Sequence, residues 1–227
     1  MAGKVLPQFR NRSDSVSRLE GFSDTAFGFA ITLLVVSLAV PAHFSELLQQ
    51  LQGLPVFAVT FALVSVIWYA QFVFFRRYAM SDPVTVVLTL LLLFVVLFYV
   101  YPLKFLFSVV FSVGAAPLQA RDAPLLFLIY GLGFAGVNLC LALLYLNAYW
   151  KRDELKLNHW ERFVTRVSIA DNLVTMAIGL LPAGLARLVP PDPALAGYLC
   201  FPVPTPAAVA GRFPRRPPPP PGTAPPR

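Results

Sequence analysis

Residues 18–40 read RLEGFSDTAFGFAITLLVVSLAV. From Phe22 to Val40 this is one apolar block, closed by Pro41. Its length is close to the roughly 20 residues that a helix needs to cross the hydrocarbon core of a bilayer. A helix is the form expected, because lipid offers no partner to exposed backbone groups. A cleaved signal peptide would also pair a basic start with an apolar run. The block is longer than the usual ~7–15 residues, however, and Asp24 lies within its first turn, so it is read as a span.

The rest of the chain repeats the pattern. Apolar blocks run from about Leu54 to Phe75, Val84 to Phe107, Pro124 to Ala148 and Phe163 to Leu181. Apolar residues make up 57% of the sequence and charged residues 13%, against about 25% charged in soluble domains. The net charge of +7 does not point to nucleic acid, because the basic residues flank apolar blocks and form no continuous basic face. Cys140 and Cys200 sit within apolar stretches without metal-ligand spacing and read as small buried hydrophobes.

The sixth block, Ala194 to Ala210, is apolar but interrupted by Pro202, Pro204 and Pro206. Each proline removes a backbone donor and crowds the preceding turn. Charge asymmetry argues that it crosses nonetheless. Basic stretches (Lys4 to Arg18; Arg76 and Arg77; Lys151 to Arg162; Arg212 to Arg227) alternate with connections poor in lysine and arginine, and basic loops stay in the cytoplasm. A basic tail inside requires an even number of spans. The expected fold class is all-α: a polytopic membrane bundle of six transmembrane helices, the sixth proline-interrupted, with both termini cytoplasmic. Five spans with a re-entrant or peripheral sixth segment is the alternative. Residues 1–21 form a cytoplasmic N-terminal segment, 22–210 the transmembrane domain, and 211–227 a disordered tail rich in proline and arginine.

Within the first span, Arg18 and Phe22 share a helix face, and Ser23 and Asp24 lie at the membrane boundary. Capping and anchoring would account for Asp24 and Arg18. A carboxylate at the edge of a span is also a functional candidate, because intramembrane charge is costly. Phe29, Leu33 and Val36, spaced i, i+4 and i+7, form an apolar stripe with Thr32 and Ser37 beside it. Such a stripe serves in packing or against lipid; around a symmetry axis it would form a hydrophobic constriction.

The run Arg18-x-x-x-Phe22-Ser23-Asp24, followed by Ala30-Ile31-Thr32-Leu33-Leu34-Val35, resembles the signature of the transmembrane protein 175 potassium channels, specifically their six-span prokaryotic members. Weaker similarity covers the Trp68 region, the third span to Pro102, and Ala196-Gly197-Tyr198 to Gly211-Arg212. The resemblance implies a potassium-permeable channel, a homotetramer in the prokaryotic plasma membrane, with the first helix of each subunit lining the pore. It implies a hydrophobic constriction at Phe29, Leu33 and Val36, a contribution of Thr32 to selectivity, and a structural role for Arg18, Phe22, Ser23 and Asp24 at the cytoplasmic end. Potassium ions, the bilayer and other copies of the chain are the implied partners. Phe29 stands where the family usually has Ile or Leu, Gln71-Phe72 where relatives commonly carry histidines, and the last span is broken by prolines. Arg166 to Asp171 lacks the Phe-Ser pair of a second signature, so the chain holds one repeat.

A secondary or proton-coupled transporter is the competing reading, with Asp24, Lys104 and Asp171 at span edges. It would be expected to show paired helix breaks in two halves, and only the sixth block is broken. No nucleophile–base spacing, metalloprotease motif or phosphate loop is present, so no enzymatic activity, metal or cofactor is expected.

Overall fold

The structure, a computed structural model, describes residues 9–12, 15–36, 43–111 and 122–185. Over these residues the chain forms α1 (Arg18–Val36), α2 (Phe44–Gln52), α3 (Leu54–Tyr78), α4 (Pro83–Val110), α5 (Ala123–Trp150) and α6 (His159–Leu185). Four of these are long and apolar enough to cross a membrane: α3, α4, α5 from Pro124, and α6 as far as Leu181. They coincide with the second to fifth apolar blocks. The 19-residue α1 is not among the four. Arg18, Glu20 and Asp24 charge its first two turns, and residues 37–40, which complete the block in the sequence, lie outside the described residues. The sixth block (194–210) and the tail (211–227) also lie outside them.

Local chemistry sets the helix ends. Pro55, Pro83 and Pro124 occupy the first turns of α3, α4 and α5, where a missing N–H costs nothing. α3 stops at Ala79, whose left-handed backbone (φ 49°) turns its N–H onto the Phe75 carbonyl. α4 continues through Pro102 to Val110, past the end that the proline suggests in the sequence. The connection from Pro41 to Gly53, one of those poor in lysine and arginine, contains α2. Phe44, Leu47, Leu48 and Leu51 fall at i, i+3, i+4 and i+7, the spacing of one helical face, and all four are exposed.

α5 is the most enclosed of the four spans. It packs along α6 and along α4, while α1 lies against α3 and α4. Lipid tails are as apolar as leucine, so association rests on close packing rather than on water exclusion. Two glycines show how close. A Cβ on Gly133 of α5 would collide with the Tyr99 ring of α4, and one on Gly179 of α6 with the Phe134 ring of α5. Phe74 and Tyr78 of α3 meet Tyr145 of α5 edge-on, with ring centroids at 5.4 and 5.9 Å, and the Tyr78 hydroxyl pairs with the Thr165 hydroxyl of α6 at 2.7 Å. Outside this core, Val87, Phe94, Phe98, Tyr101 and Phe105 give α4 an exposed apolar face, which suits lipid.

One end of the bundle is polar and heavily bonded. Asp82 caps α4, accepting from the Thr85 hydroxyl at 2.6 Å. It also accepts from Asn147 of α5 at 3.2 Å and pairs with Lys151 at 3.3 Å. Burial opposes the charged carboxylate, but these donors outweigh it and hold the Asp82 pKa down at about 2. At the same end the N-terminal segment straps α3 to α6. The Arg12 guanidinium donates to the Glu161 carboxylate at 2.8 Å and to the Arg77 carbonyl at 3.0 Å, and its backbone N–H donates to the Arg76 carbonyl at 3.1 Å. Glu161 also accepts from the Arg10 and Asn158 backbone N–H groups, both at 3.1 Å. Asn158 returns a bond to the Glu161 N–H at 2.8 Å, a capping box that starts α6. Among the described residues, Arg12, Arg76 and Arg77, and the stretch from Lys151 to Arg162 are thus gathered at one end of the bundle.

Replacing Asp82 with alanine removes a cap and leaves the buried Asn147 amide without its carboxylate, which should cost about 1–3 kcal/mol at neutral pH. Because the folded pKa lies below the ordinary value of about 3.9, this contribution is present above pH ~4 and is lost as pH falls through about 2. Denaturant unfolding in detergent should show the wild-type advantage narrowing over that window.

Candidate functional site

α1 begins at a serine cap. The Ser17 hydroxyl accepts the Glu20 N–H at 3.1 Å, and glutamate three residues after serine matches the sequence signature of such a start. Capping therefore falls to Ser17, and Asp24 is left for another partner. Ala26, Ala30 and Leu33 to Val36 then continue the helix through residues without competing polar groups.

The two sides of α1 differ sharply in their surroundings. Glu20, Ser23, Phe27, Ala30 and Leu34 are buried. Their spacing of three and four residues places them on the face turned toward the bundle. On the opposite face Arg18, Phe22, Thr25, Phe29 and Thr32 are exposed; Phe22 retains 56% of its surface and Phe29 58%. Leu33 is half-buried at the flank of this face. Val36 closes the described helix, and its side chain lies outside the described residues.

Two hydrogen bonds to α3 fix this orientation. The Ser23 hydroxyl donates to the Gln71 side-chain carbonyl at 2.7 Å in a buried setting. The Trp68 indole N–H donates to the Asp24 carboxylate at 2.8 Å. Trp68 and Gln71 lie three residues apart on α3, matching the adjacent pair Ser23 and Asp24. The Gln71 side-chain nitrogen, also buried, has no partner among the described residues. The four residues of the Arg-x-x-x-Phe-Ser-Asp run therefore divide: Ser23 and Asp24 join α1 to α3, and Arg18 and Phe22 point away from the bundle.

Sequence reasoning met Trp68 only within the region of weaker similarity and missed its bond to Asp24. The signal was available, since a carboxylate at a span edge needs a donor and indole is a donor only. Thr25 was also passed over. Its hydroxyl donates to the Gly21 carbonyl at 2.9 Å, as that of Thr32 does to the Gly28 carbonyl at 2.9 Å. Among the described residues no three His, Cys, Asp or Glu side chains gather into a set able to hold a metal ion.

Comparison with known proteins gives these residues a context. A family model described as the endosomal/lysosomal potassium channel TMEM175 matches residues 18–99, from the start of α1 into α4. A potassium channel from Marivirga tractuosa is 37% identical over 213 residues, covering 86% of each chain. A potassium channel from Chamaesiphon minutus is 31% identical over 142 residues, covering 59% of this chain and 64% of its own. Among solved structures, a variant of the potassium channel MtTMEM175 in complex with a nanobody fusion superposes with a TM-score of 0.76 at 34% identity. It covers 91% of this chain and 96% of that one. A lysosomal potassium-selective channel TMEM175 homolog from Chamaesiphon minutus shares the fold, with a TM-score of 0.60 at 22% identity over 86% of this chain and 97% of its own.

Replacing Ser23 with alanine should destabilise the fold by about 1–3 kcal/mol, because it leaves the buried Gln71 amide with neither end paired. Replacing Gln71 with methionine in the same chain should restore most of the loss. A double-mutant cycle read from unfolding in detergent measures this coupling, and independent effects of the two changes would contradict the pairing.

Proposed function

This chain belongs to the TMEM175 family of potassium channels, and on that premise we propose that it conducts potassium across a membrane along the exposed face of α1. The observation that carries the proposal is that face itself. α1 is bonded to the bundle on one side only, and its other side presents Phe22, Thr25, Phe29 and Thr32 to no other part of the described subunit. A purely lipid-facing helix has little use for repeated hydroxyls there, whereas a pathway for ions needs both oxygen ligands and a constriction.

One such helix cannot enclose a pore. The pathway is assembled from copies of the chain, four in number, with one α1 from each around the axis. Phe29, flanked by Leu33 and followed by Val36, forms the hydrophobic constriction, and Thr32 supplies oxygen atoms beside it. At Phe29 the phenyl ring is larger than an aliphatic side chain and narrows the passage. It also offers a π face that attracts cations. Ser23, Asp24, Trp68 and Gln71 hold each helix in rotation so that this face stays on the axis. The subunit crosses the plasma membrane six times with both termini in the cytoplasm; the clustering of Arg12, Arg76, Arg77, Lys151 and Arg162 at one end of the bundle supports that orientation. The channel domain comprises residues 22–210, and residues 211–227 form a cytoplasmic tail.

Reconstituted into liposomes with a potassium gradient, the protein should pass an electrogenic potassium flux that needs no proton gradient. Replacing Phe29 with serine should raise the flux several-fold and weaken discrimination against sodium. Saturable flux strictly coupled to protons would assign the chain to the transporters instead, and absence of flux would refute conduction.

A further inference from the structure

α1 contains an internal repeat. Gly21-Phe22-Ser23-Asp24-Thr25 and Gly28-Phe29-Ala30-Ile31-Thr32 both read Gly-Phe-x-x-Thr, offset by one heptad. Seven residues make nearly two helical turns, with a drift of only ~20°, so the two copies fall on one face. The structure repeats with the sequence. Both phenylalanines and both threonines are exposed, and each threonine hydroxyl donates at 2.9 Å to the carbonyl of the glycine that opens its own copy.

That bond determines what the hydroxyl can offer. A threonine hydroxyl has one proton and two acceptor lone pairs. With the proton committed to the helix backbone, the outward side of the oxygen is an acceptor only. A ring of such oxygens suits a cation and repels an anion. The glycines point the same way. Glycine in a helix interior costs about 1 kcal/mol relative to alanine, yet a Cβ on Gly28 would meet nothing within 4 Å, and one on Gly21 only Val16 at 3.9 Å. Packing within the described subunit does not require either glycine. Their position beside the threonines leaves room next to the hydroxyl oxygens. Asp24 lies off this face, its carboxylate bonded to Trp68, so the layer at Thr25 is built from neutral oxygens.

We propose that Thr25 forms a second cation-coordinating layer in the pathway, on the opposite side of Phe29 from Thr32 and roughly 10 Å from it along the helix. The bound species is a monovalent alkali cation, held by threonine oxygens and retained water. Phe29 then separates two stations, and ions pass the apolar constriction from one oxygen layer to the next. This inference rests on the reading of α1 as the pore-lining helix.

Single-channel recording in planar bilayers, with potassium varied from millimolar to molar, tests it on the full-length chain. Thr25→Val keeps the branched shape and removes the oxygen. It should lower conductance several-fold at low potassium and raise the concentration of half-maximal conductance, as Thr32→Val should. Thr25→Ser, which retains the hydroxyl, should stay close to wild type. Elution volume in detergent should be unchanged in all three, which separates a lost ligand from lost assembly. Conducting wild type with Thr25→Val indistinguishable from it, while Thr32→Val is impaired, would overturn this inference alone. A wild-type chain that carries no potassium current would overturn the channel reading and this inference with it.

Discussion

The rotation of α1 about its own axis depends on two hydrogen bonds to α3, from Ser23 to Gln71 and from Trp68 to Asp24. Hydropathy alone would not set that rotation, because apolar residues lie on every side of the helix. Phe27 is 2% exposed and Phe29 58%, although they are the same residue two positions apart. The polar partners decide which of them enters the bundle. A turn of about 100°, one residue's worth of helix, would take Phe29 and Thr32 off the exposed face and break both bonds. Ser23 and Gln71 are buried, so that slip would strand polar groups away from water.

The polar end of the bundle supports the same arrangement from below. Arg12, six residues before α1, ties the N-terminal segment to the end of α3 and to Glu161 at the start of α6. Breaking one partner of such a pair costs more than the pair contributes, because the other charge is left poorly solvated. The nearby clamp of Asp82, Asn147 and Lys151 joins the start of α4 to the end of α5. The helices against which α1 packs, α3 and α4, are therefore fixed at the end where α1 begins. The mechanical picture is a helix anchored at its base with one face left open.

Much of this was legible in the sequence, and the reasons are specific. Long apolar blocks bounded by charges and prolines marked α3 to α6 to within four residues at each end, because in lipid only a helix satisfies the backbone. Alternating basic and cation-poor connections anticipated the gathering of Arg76, Arg77, Lys151 and Arg162 at one end. Of the motif from Arg18 to Asp24, Ser23 and Asp24 bond to α3, and of the stripe Phe29, Leu33 and Val36, Phe29 is exposed. Other features depended on partners distant in the chain. Nothing near Ser23 announces Gln71, and the division of the motif into two inward and two outward residues needed α3 in place. The serine cap at Ser17, the apolar face of α2 and the glycine–phenylalanine–threonine repeat were written in the sequence. They were overshadowed by hydropathy, which treats glycine and threonine as neutral and does not see a period of seven.

The central claim is that the exposed face of α1 meets water and ions rather than lipid. The most direct measurement is the reactivity of single cysteines at positions 22 to 34, in a chain with Cys140 and Cys200 replaced by serine, toward a water-soluble methanethiosulfonate reagent in proteoliposomes. Thiolates form and react only where water reaches them. The account predicts modification at positions 22, 25, 29 and 32, with protection at 23, 27, 30 and 34. Protection throughout positions 22–34 would place the open face against lipid, and reactivity on the 27–30–34 side would reverse the helix. Either result would contradict it.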